Sequence, residues 1–230
     1  PIDLITRRYP QIAVLKPFNT CAQMCVYCQR NWEVREVMDP AAMAGRDKLD
    51  AAINWIADNP GLQEILVTGG DPLLMAEERL DWILGRLAAI PHIQRIRIGS
   101  RLPVVLPMRF TENLLALFAR HHKAAGPKLC IVTHVEHPYE ITPELAEVVA
   151  RIRALGVNVY NQQVFTIENS RRFETVALRW TLKRVGIDPY YCFNAKGKDE
   201  TRHFRVPIAR ILQERKEEAR LIPGTVRPDE

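Results

Sequence analysis

Six short runs rich in aliphatic and β-branched residues alternate with six segments of helical periodicity along this chain of 230 residues. In one such segment, Leu49, Ile53 and Ile56 recur at intervals that place apolar side chains on one helix face. Strands that alternate with helices predict parallel βαβ units, because each helix carries the chain back to start the next strand in the same direction. The predicted strands are residues 12–18, 64–70, 93–100, 128–135, 157–165 and 187–194, and the predicted helices are residues 46–59, 78–90, 111–122, 142–155, 173–185 and 207–220.

The ends of several predicted helices carry residues that helix ends favour. Thr111 and Thr142 are positioned to cap the helices that follow them, and Pro143 suits a first helical turn. Candidate stop signals after helical runs are Gly126, Gly156 and Gly186. The pattern predicts an α/β fold, either an open doubly wound sheet or a complete or partial barrel. In both architectures, functional residues lie at the carboxyl ends of the parallel strands.

The organisation of the chain predicts one domain over residues 1–230. No low-complexity linker and no internal repeat divides it. The chain begins without Met and ends in RLIPGTVRPDE, residues 220–230, with no evident closing element. We therefore expect that both ends were cut from a longer chain.

The charge and hydropathy of the chain bound its partners. The net charge is +5, but the basic residues are scattered among acids, as at Arg30, Lys48, Arg86 and Arg120. A nucleic-acid-binding protein more often carries one dense basic face, so we expect no nucleic-acid partner. No apolar run approaches the roughly 18 residues that span a membrane, and the first residues lack the apolar region of a secretory signal. We expect no membrane partner.

Five cysteines are present, an odd number that argues against a secreted disulfide framework. We therefore expect a reducing, cytoplasmic setting. Cys130 and Cys192 stand alone in apolar runs and are interpreted as small buried side chains of strands, without a chemical role.

The other three cysteines, Cys21, Cys25 and Cys28, form the pattern C-x3-C-x2-C on the loop after the first predicted strand. A zinc site would need four ligands, and the nearest histidine is the distant His92. A redox dithiol would need only two of the thiols. Because an iron–sulfur cluster is held by thiolates, three of them leave one iron of a [4Fe–4S] cluster open to a ligand or substrate. The spacing predicts such a cluster; an electron-transfer or binding protein and a structural zinc protein remain as lower-ranked alternatives.

This cysteine pattern, with Tyr27 at the aromatic position, resembles the signature of the radical S-adenosylmethionine enzymes. The resemblance implies that the open iron chelates S-adenosylmethionine and that the reduced cluster cleaves it to a 5′-deoxyadenosyl radical. A glycine-rich loop after the second strand receives the amino group of S-adenosylmethionine in that family. The matching residues here are Gly69, Gly70, Asp71 and Pro72.

Further stretches resemble one group within that superfamily, the lysine 2,3-aminomutases, in order along essentially the whole chain. They are RRYP (7–10), GGDPLL (69–74), RIGSRLPVVLPMRFT (97–111), THVEHPYEIT (133–142), NQQV (161–164) and PYYCFNAKGKDETRHFR (189–205). The resemblance implies a partial (β/α)6-type barrel and pyridoxal phosphate as a second cofactor. It implies an isomerase that moves an amino group from the α- to the β-carbon of an amino acid. It also implies an electron donor such as flavodoxin or ferredoxin, and the group often forms homo-oligomers.

Carried over by position, several residues acquire expected roles. The resemblance implies that Arg30 pairs with the substrate α-carboxylate, a task that suits its planar guanidinium. Arg8 and Tyr9 match positions that hold pyridoxal phosphate. The residues expected to line the S-adenosylmethionine site are Asn161, Gln162 and His134.

Three departures from the family pattern bear on cofactor and substrate. Ile12 stands where the family has an arginine that assists the phosphate. Lys196 stands where the lysine enzymes have an aspartate for the substrate ammonium, so we expect an acidic substrate, glutamate first. If the loop is shifted, Asp199 is the counterpart, and lysine or another amine becomes the substrate. The Schiff-base lysine of the family would lie beyond Glu230, so no catalytic residue is assigned within the chain.

Overall fold

Seven strands form a single sheet in which the spatial order follows the order along the chain. The computed structural model describes residues 2–30, 33, 34, 36–39, 41–122, 124–196 and 199–227. The strands are β1 (Ile5–Tyr9), β2 (Ile12–Phe18), β3 (Glu64–Gly69), β4 (Arg95–Gly99), β5 (Lys128–Thr133), β6 (Asn158–Phe165) and β7 (Ile187–Asn194).

The helices lie between the strands and after the last one. They are α1 (Arg46–Ala57), α2 (Glu77–Ala88), α3 (Leu102–Val105), α4 (Glu112–His121), α5 (Pro143–Ala154), α6 (Glu174–Arg184) and α7 (Ile208–Leu221). Short 3-10 helices follow several strands, at Pro72–Leu74, Pro107–Arg109, Pro138–Glu140, Ile167–Asn169 and Asp199–Phe204. Within the described ranges, none of the helices combines the length and apolar composition that a membrane span requires.

The direction of the strands identifies the architecture. Strands β2 to β7 are parallel, each paired with the next along the chain. A doubly wound sheet would reverse its order at a switch point, whereas a barrel winds one way. The described strand pairs do not join β7 to β1 or β2, so the barrel is partial. The predicted partial barrel of parallel strands is therefore confirmed, and the doubly wound alternative is wrong.

The predicted strands and helices all occur, and the structure adds β1 and the short α3. Strand β1 runs antiparallel to β2, with Ile5 opposite Leu15 and Tyr9 opposite Ile12. Its charged sequence ITRRY carries little apolar signal, because an edge strand needs only one buried side. Helix α3 is a single turn that begins beside Pro103, too short for a periodic pattern.

The predicted helix ends are largely confirmed. The hydroxyl oxygens of Thr111 and Thr142 accept hydrogen bonds from amides three residues later, each at 3.3 Å. Gly156 and Gly186 adopt left-handed φ angles of 80° and 86° just past their helices. The prediction for Gly126 is wrong, because α4 already ends at His121 and other residues make the turn.

The core lies between the sheet and its surrounding helices. Along β2, Ala13 and Leu15 are fully buried while the alternate side chains are only partly covered, as a strand with one packed face requires. The predicted apolar face of α1, with Leu49, Ile53 and Ile56, is buried against that side. The partly covered side chains face the concave interior, and the loops at the carboxyl ends of the strands surround its mouth.

Candidate functional site

The three clustered cysteines lie on the loop of residues 19–30 that follows β2, here called the cysteine loop. The amide of Cys28 donates to the carbonyl of Cys25 at 3.0 Å, and the amide of Met38 donates to the carbonyl of Cys21 at 3.1 Å. Thr20 is buried; its hydroxyl donates to the Glu36 carbonyl at 2.6 Å and accepts from the Asp39 amide at 3.1 Å. Residues 36–39 therefore hold the base of the loop, and the three thiols remain only partly buried.

The electrostatics of the thiols suit a cationic metal cluster. Burial, the Asp71 carboxylate and the other two sulfurs raise the pKa of Cys21 to about 12. Burial also raises the pKa of Cys25, against the lowering effect of the Arg101 guanidinium. Three thiolates so close together need compensating positive charge, which bound iron supplies. The donor set therefore fits an iron–sulfur cluster.

The possible metal ligands are not gathered around one point in the described structure. Among the residues that the structure describes, no group of three or more Cys, His, Asp or Glu side chains converges as ligands for one metal ion. Zinc needs four ligands at about 2.0–2.3 Å from one centre. The cysteines of a [4Fe–4S] cluster each bind a different iron, so their sulfurs need not converge.

The predicted glycine loop packs directly on the cysteine loop. The amide of Gly70 donates to the Phe18 carbonyl at 2.7 Å, and the amide of Asp71 donates to the Thr20 carbonyl at 2.8 Å. A β-carbon at Gly70 would lie 2.1 Å from the Thr20 carbonyl oxygen. Gly69 has φ of +128°, a conformation that side chains rarely adopt, and a β-carbon there would lie 2.5 Å from the Phe18 carbonyl oxygen. The two glycines are needed for this close approach.

Asp71 connects the glycine loop to the loop after β4. Its buried carboxylate accepts the Arg101 amide at 2.8 Å and the Leu73 amide at 3.2 Å, and Pro72 begins the adjoining 3-10 helix. Burial raises the pKa of Asp71 to about 6, although hydrogen bonds from Ser100 and from backbone amides lower it. The contacts seen are structural; contact of Asp71 or Pro72 with S-adenosylmethionine stays a prediction.

Arg101 is a central residue of the mouth to which the sequence analysis assigned no role. Its side chain donates to four groups: the Cys25 sulfur at 3.6 Å, the Gln23 side-chain oxygen at 3.1 Å, the His134 carbonyl at 3.2 Å and the Glu140 carboxylate at 2.6 Å. It thereby joins the cysteine loop to the loop after β5. The sequence feature that could have identified Arg101 is its place in the string IGSR, directly after a predicted strand.

Three buried polar atoms near this arginine lack a hydrogen-bond partner among the described residues: the Tyr27 hydroxyl, Nδ1 of His134 and Oε1 of Glu136. Nδ1 of His134 lies 3.7 Å from that Glu136 oxygen, while the other oxygen of Glu136 accepts the Val164 amide at 2.6 Å. Burial and the Glu136 charge both raise the pKa of Tyr27. Each unsatisfied buried group costs about 1–3 kcal/mol, so such a concentration is typical of a ligand site.

The polar residues of β6 divide into two sets. Asn161 is fully buried. Its side-chain oxygen accepts from the Val135 backbone amide at 2.7 Å, and its side-chain nitrogen donates to the Val135 carbonyl at 3.0 Å. It therefore braces the loop after β5. Gln163 is buried on the same side and donates to the Glu136 carbonyl at 3.4 Å. Gln162 is partly exposed between them and, by alternation, points to the other side, toward the barrel interior.

The predicted substrate residues lie at the same mouth. Arg30 pairs with Glu33 and donates to the Asn19 side-chain oxygen at 3.1 Å, while its buried Nη1 has no hydrogen-bond partner among the described residues and faces Gly69. Lys196 follows β7 by two residues and is exposed. Asp199 is also exposed, at the start of a 3-10 helix. Either of these two charges can therefore face a molecule that enters the mouth.

The predicted pyridoxal phosphate residues lie at the other end of the sheet. Tyr9 pairs with Ile12 at the beginning of β2, whereas the cysteines follow the end of β2. Six residues of extended strand separate these ends, about 20 Å at 3.3 Å per residue. Tyr9 is exposed at that end, and the Arg8 side chain lies outside the described part of the structure.

Comparison with known proteins adds sequence relatives. No protein-family model matches the chain. It is 50% identical over 230 residues to an uncharacterised KamA family protein of Methanocaldococcus jannaschii, of which it covers 36%. It is 33% identical over 214 residues to the L-lysine 2,3-aminomutase of Methanococcus maripaludis and 32% identical over 209 residues to the glutamate 2,3-aminomutase of Clostridioides difficile. These matches cover 93% and 90% of the chain but 48% of each enzyme, so the chain spans half or less of these relatives.

Solved structures share the fold. Streptococcus suis SuiB bound to S-adenosylmethionine superposes with a TM-score of 0.64 at 14% identity, over 91% of this chain and 47% of that protein. A radical SAM methyltransferase from Sphaerobacter thermophilus superposes with a TM-score of 0.60 at 14% identity, over 95% of this chain and 67% of that protein. At such identities the likeness establishes the architecture, which agrees with the partial barrel described above.

Substituting Gly70 tests the packing of the two loops. We expect Gly70→Ala to lower the free energy of unfolding by at least about 2 kcal/mol, because the added carbon meets backbone that must move. Thermal unfolding followed by circular dichroism measures the loss. Gly45→Ala is the matched control, since a β-carbon there meets nothing within 4 Å. Equal stability of the two variants would contradict the proposed contact.

Proposed function

We propose that the chain belongs to the KamA family of the radical S-adenosylmethionine superfamily, the lysine 2,3-aminomutase family, and that the protein is an amino acid 2,3-aminomutase. The reaction is an isomerisation. The bond from nitrogen to the α-carbon breaks, a bond to the β-carbon forms, and one hydrogen moves from the β- to the α-carbon. No net oxidation takes place, so the radical that starts the reaction is regenerated.

The observation that carries the proposal is the packing of the glycine loop on a loop with three cysteines at C-x3-C-x2-C spacing. Cys21, Cys25 and Cys28 would hold three irons of a [4Fe–4S] cluster and leave the fourth iron open. When bound, that cluster with S-adenosylmethionine supplies a carbon radical able to remove hydrogen from an unactivated carbon, and pyridoxal phosphate supplies a conjugated ring that eases nitrogen migration.

The residues around the mouth support binding of S-adenosylmethionine there. The unsatisfied Tyr27 hydroxyl and His134 Nδ1 are buried beside the cysteine loop and can donate to or accept from its polar groups. Gln162 is partly exposed on β6, and by strand alternation we propose that its amide points into the barrel interior. We propose that these side chains and the backbone of Gly69 and Gly70 line the S-adenosylmethionine site, with Asp71, Pro72 and Asn161 holding the surrounding loops.

Substrate binding is proposed for Arg30 and Lys196. The free Nη1 of Arg30 is buried against Gly69, where it could donate to a substrate α-carboxylate while Glu33 and Asn19 hold the rest of the guanidinium. Lys196 would attract a side-chain carboxylate and repel an ammonium group. We therefore propose glutamate as the substrate, with lysine or another amine as the alternative if Asp199 faces the substrate instead.

Pyridoxal phosphate is the less supported cofactor. Tyr9 offers a hydroxyl to a phosphate at the amino end of β2, but Ile12 beside it is apolar, where an arginine would have added a cation. We propose Arg8 and Tyr9 as phosphate-binding residues from the family resemblance alone, because the roughly 20 Å between Tyr9 and the cysteine end of β2 exceeds the length of one pyridoxal phosphate molecule.

The proposed partners are an electron donor and further copies of the chain. A flavodoxin or ferredoxin would reduce the cluster, and homo-oligomers are proposed from the family. The described cysteines are all free thiols, which supports a reducing, cytoplasmic setting. A protein that used only the cluster, for electron transfer or binding, would need neither the free Nη1 of Arg30 nor the unsatisfied groups around Tyr27.

The cluster is tested by replacing its ligands one at a time. We expect Cys21→Ala, Cys25→Ala and Cys28→Ala each to abolish the paramagnetic resonance signal of the reduced cluster after anaerobic reconstitution with iron and sulfide. Cys130→Ala is the control, because that thiol is buried in β5 away from the loop. Retention of the full signal in all three variants would refute a cluster on this loop.

The substrate is tested by offering L-glutamate and L-lysine in parallel to the reconstituted full-length protein with S-adenosylmethionine and reductant. We expect β-glutamate by mass spectrometry and no β-lysine. Lys196→Asp should lower the rate at least tenfold, while Lys216→Asp, an exposed change on α7, should leave it unchanged.

Formation of β-lysine alone would assign the counter-ion role to Asp199. If 5′-deoxyadenosine accumulates without either product, the radical chemistry stands and the substrate is another amine.

The role of Arg30 is tested by Arg30→Gln. Losing a charged hydrogen bond to the carboxylate costs about 1.5–3 kcal/mol, so we expect kcat/KM to fall roughly 10- to 100-fold while the cluster signal is retained. Arg120→Gln is the control, since Arg120 is an exposed arginine paired with Asp81. An unchanged kcat/KM would remove Arg30 from the substrate site.

A further inference from the structure

A cavity with both apolar and charged lining lies away from the cysteine loop, between β7, α6, α7 and residues 224–227. Its volume is about 460 Å³, which falls within the range of small-molecule sites. It shares no lining residue with the candidate site described above. The charged and polar side chains of its wall include Thr175, Arg179, Cys192, Glu214, Glu218 and Arg227.

Arg179 is the group in this wall that most needs a partner. It is 1% exposed, the largest fully buried side chain described. Its Nε and Nη1 make no hydrogen bond to any described residue, and Oε1 of Glu218, an opposite charge, lies 3.4 Å from Nε. A buried guanidinium with unused donors is costly unless something else accepts from them.

Glu214 has more partners than Arg179, although its Oε1 is buried without a hydrogen bond to a described residue. Glu214 lies 2.6 Å from the Arg210 guanidinium and accepts from the Phe173 amide at 3.1 Å and from the Thr175 hydroxyl at 3.3 Å. On the opposite side, Nε of Arg227 is buried without a hydrogen-bond partner. Among the described residues, the buried wall atoms without a hydrogen-bond partner are Nε and Nη1 of Arg179, Nε of Arg227 and Oε1 of Glu214, so three of the four are cationic donors.

The Cys192 thiol adds no negative charge to the cavity wall. Burial raises the pKa of Cys192 to about 11, although Arg179 lowers it, so the side chain is a neutral thiol near pH 7. The sequence analysis gave Cys192 no role, and its position on this wall makes it a reporter of what occupies the cavity.

The cavity is open to solvent, so water occupies it in the absence of a ligand, and an anion has to displace that water. Planar guanidinium groups match the paired oxygens of a carboxylate or phosphate. We propose that this cavity binds a small anion whose carboxylate or phosphate oxygens accept hydrogen bonds from Arg179 and Arg227.

Binding is tested by calorimetry on the full-length protein, with inorganic phosphate and malonate as probes and chloride at matched ionic strength as the blank. We expect saturable binding of at least one probe, and the tighter one identifies phosphate or carboxylate as the preferred group. Arg179→Gln should weaken binding at least about tenfold, because a charged hydrogen bond is lost. Arg172→Gln, an exposed arginine paired with Glu217, is the control and should bind as the parent does.

A measurement on the unmodified protein covers the case in which the Arg179 variant does not fold. Alkylation of Cys192 by iodoacetamide is followed by mass spectrometry of the tryptic peptide of residues 185–196. The bound probe should slow this reaction severalfold without changing the alkylation of Cys130, which is buried elsewhere, in β5. Absence of saturable binding together with unchanged Cys192 alkylation would overturn the proposal. Because neither measurement uses turnover, the result is independent of the proposed aminomutase activity.

Discussion

The arrangement of the mouth depends on one close contact, between Gly70 and the backbone of Thr20. With a hydrogen in place of a side chain, the amides of Gly70 and Asp71 reach the carbonyls of Phe18 and Thr20. These two hydrogen bonds fix the position of the cysteine loop relative to β3. Asp71 is then held where its buried carboxylate accepts the Arg101 amide, and the Arg101 side chain extends back to Cys25. Three loops that are distant in sequence are thus linked through one residue without a side chain.

Charge determines what this assembly can hold. Burial and mutual repulsion keep the pKa of Cys21 high, so the thiols favour their protonated form until positive charge arrives. The neighbouring Tyr27 hydroxyl and Glu136 oxygen are left without partners in the described structure. Such groups oppose folding by themselves, and they become favourable only when a cofactor satisfies them. The same reasoning applies to the cavity between β7, α6 and α7, where Nε and Nη1 of Arg179 make no hydrogen bond to a described residue.

Much of the fold could be predicted because the relevant patterns are local. The alternation of apolar runs predicted β2 to β7 and their helices, and the spacing of three cysteines predicted their shared loop. Strand β1 was missed because ITRRY has few apolar residues and its pairing depends on β2. Arg101, Glu136 and Gln163 were not assigned because only the sheet brings them to one mouth. Asn161 was assigned to a cofactor, yet its amide is used by Val135, which the sequence could not reveal.

The sequence by itself determined β2 to β7 with their main helices, the three cysteine donors and the two adjacent glycines, because helix period, strand alternation and short loops depend on neighbouring residues. Only the tertiary structure decided that β1 pairs with β2 and that Gly70 faces Thr20. It also decided which charges are buried, such as Arg179 beside Glu218. The physical reason is that burial and close contact depend on segments tens of residues apart, and no local pattern records which of them meet.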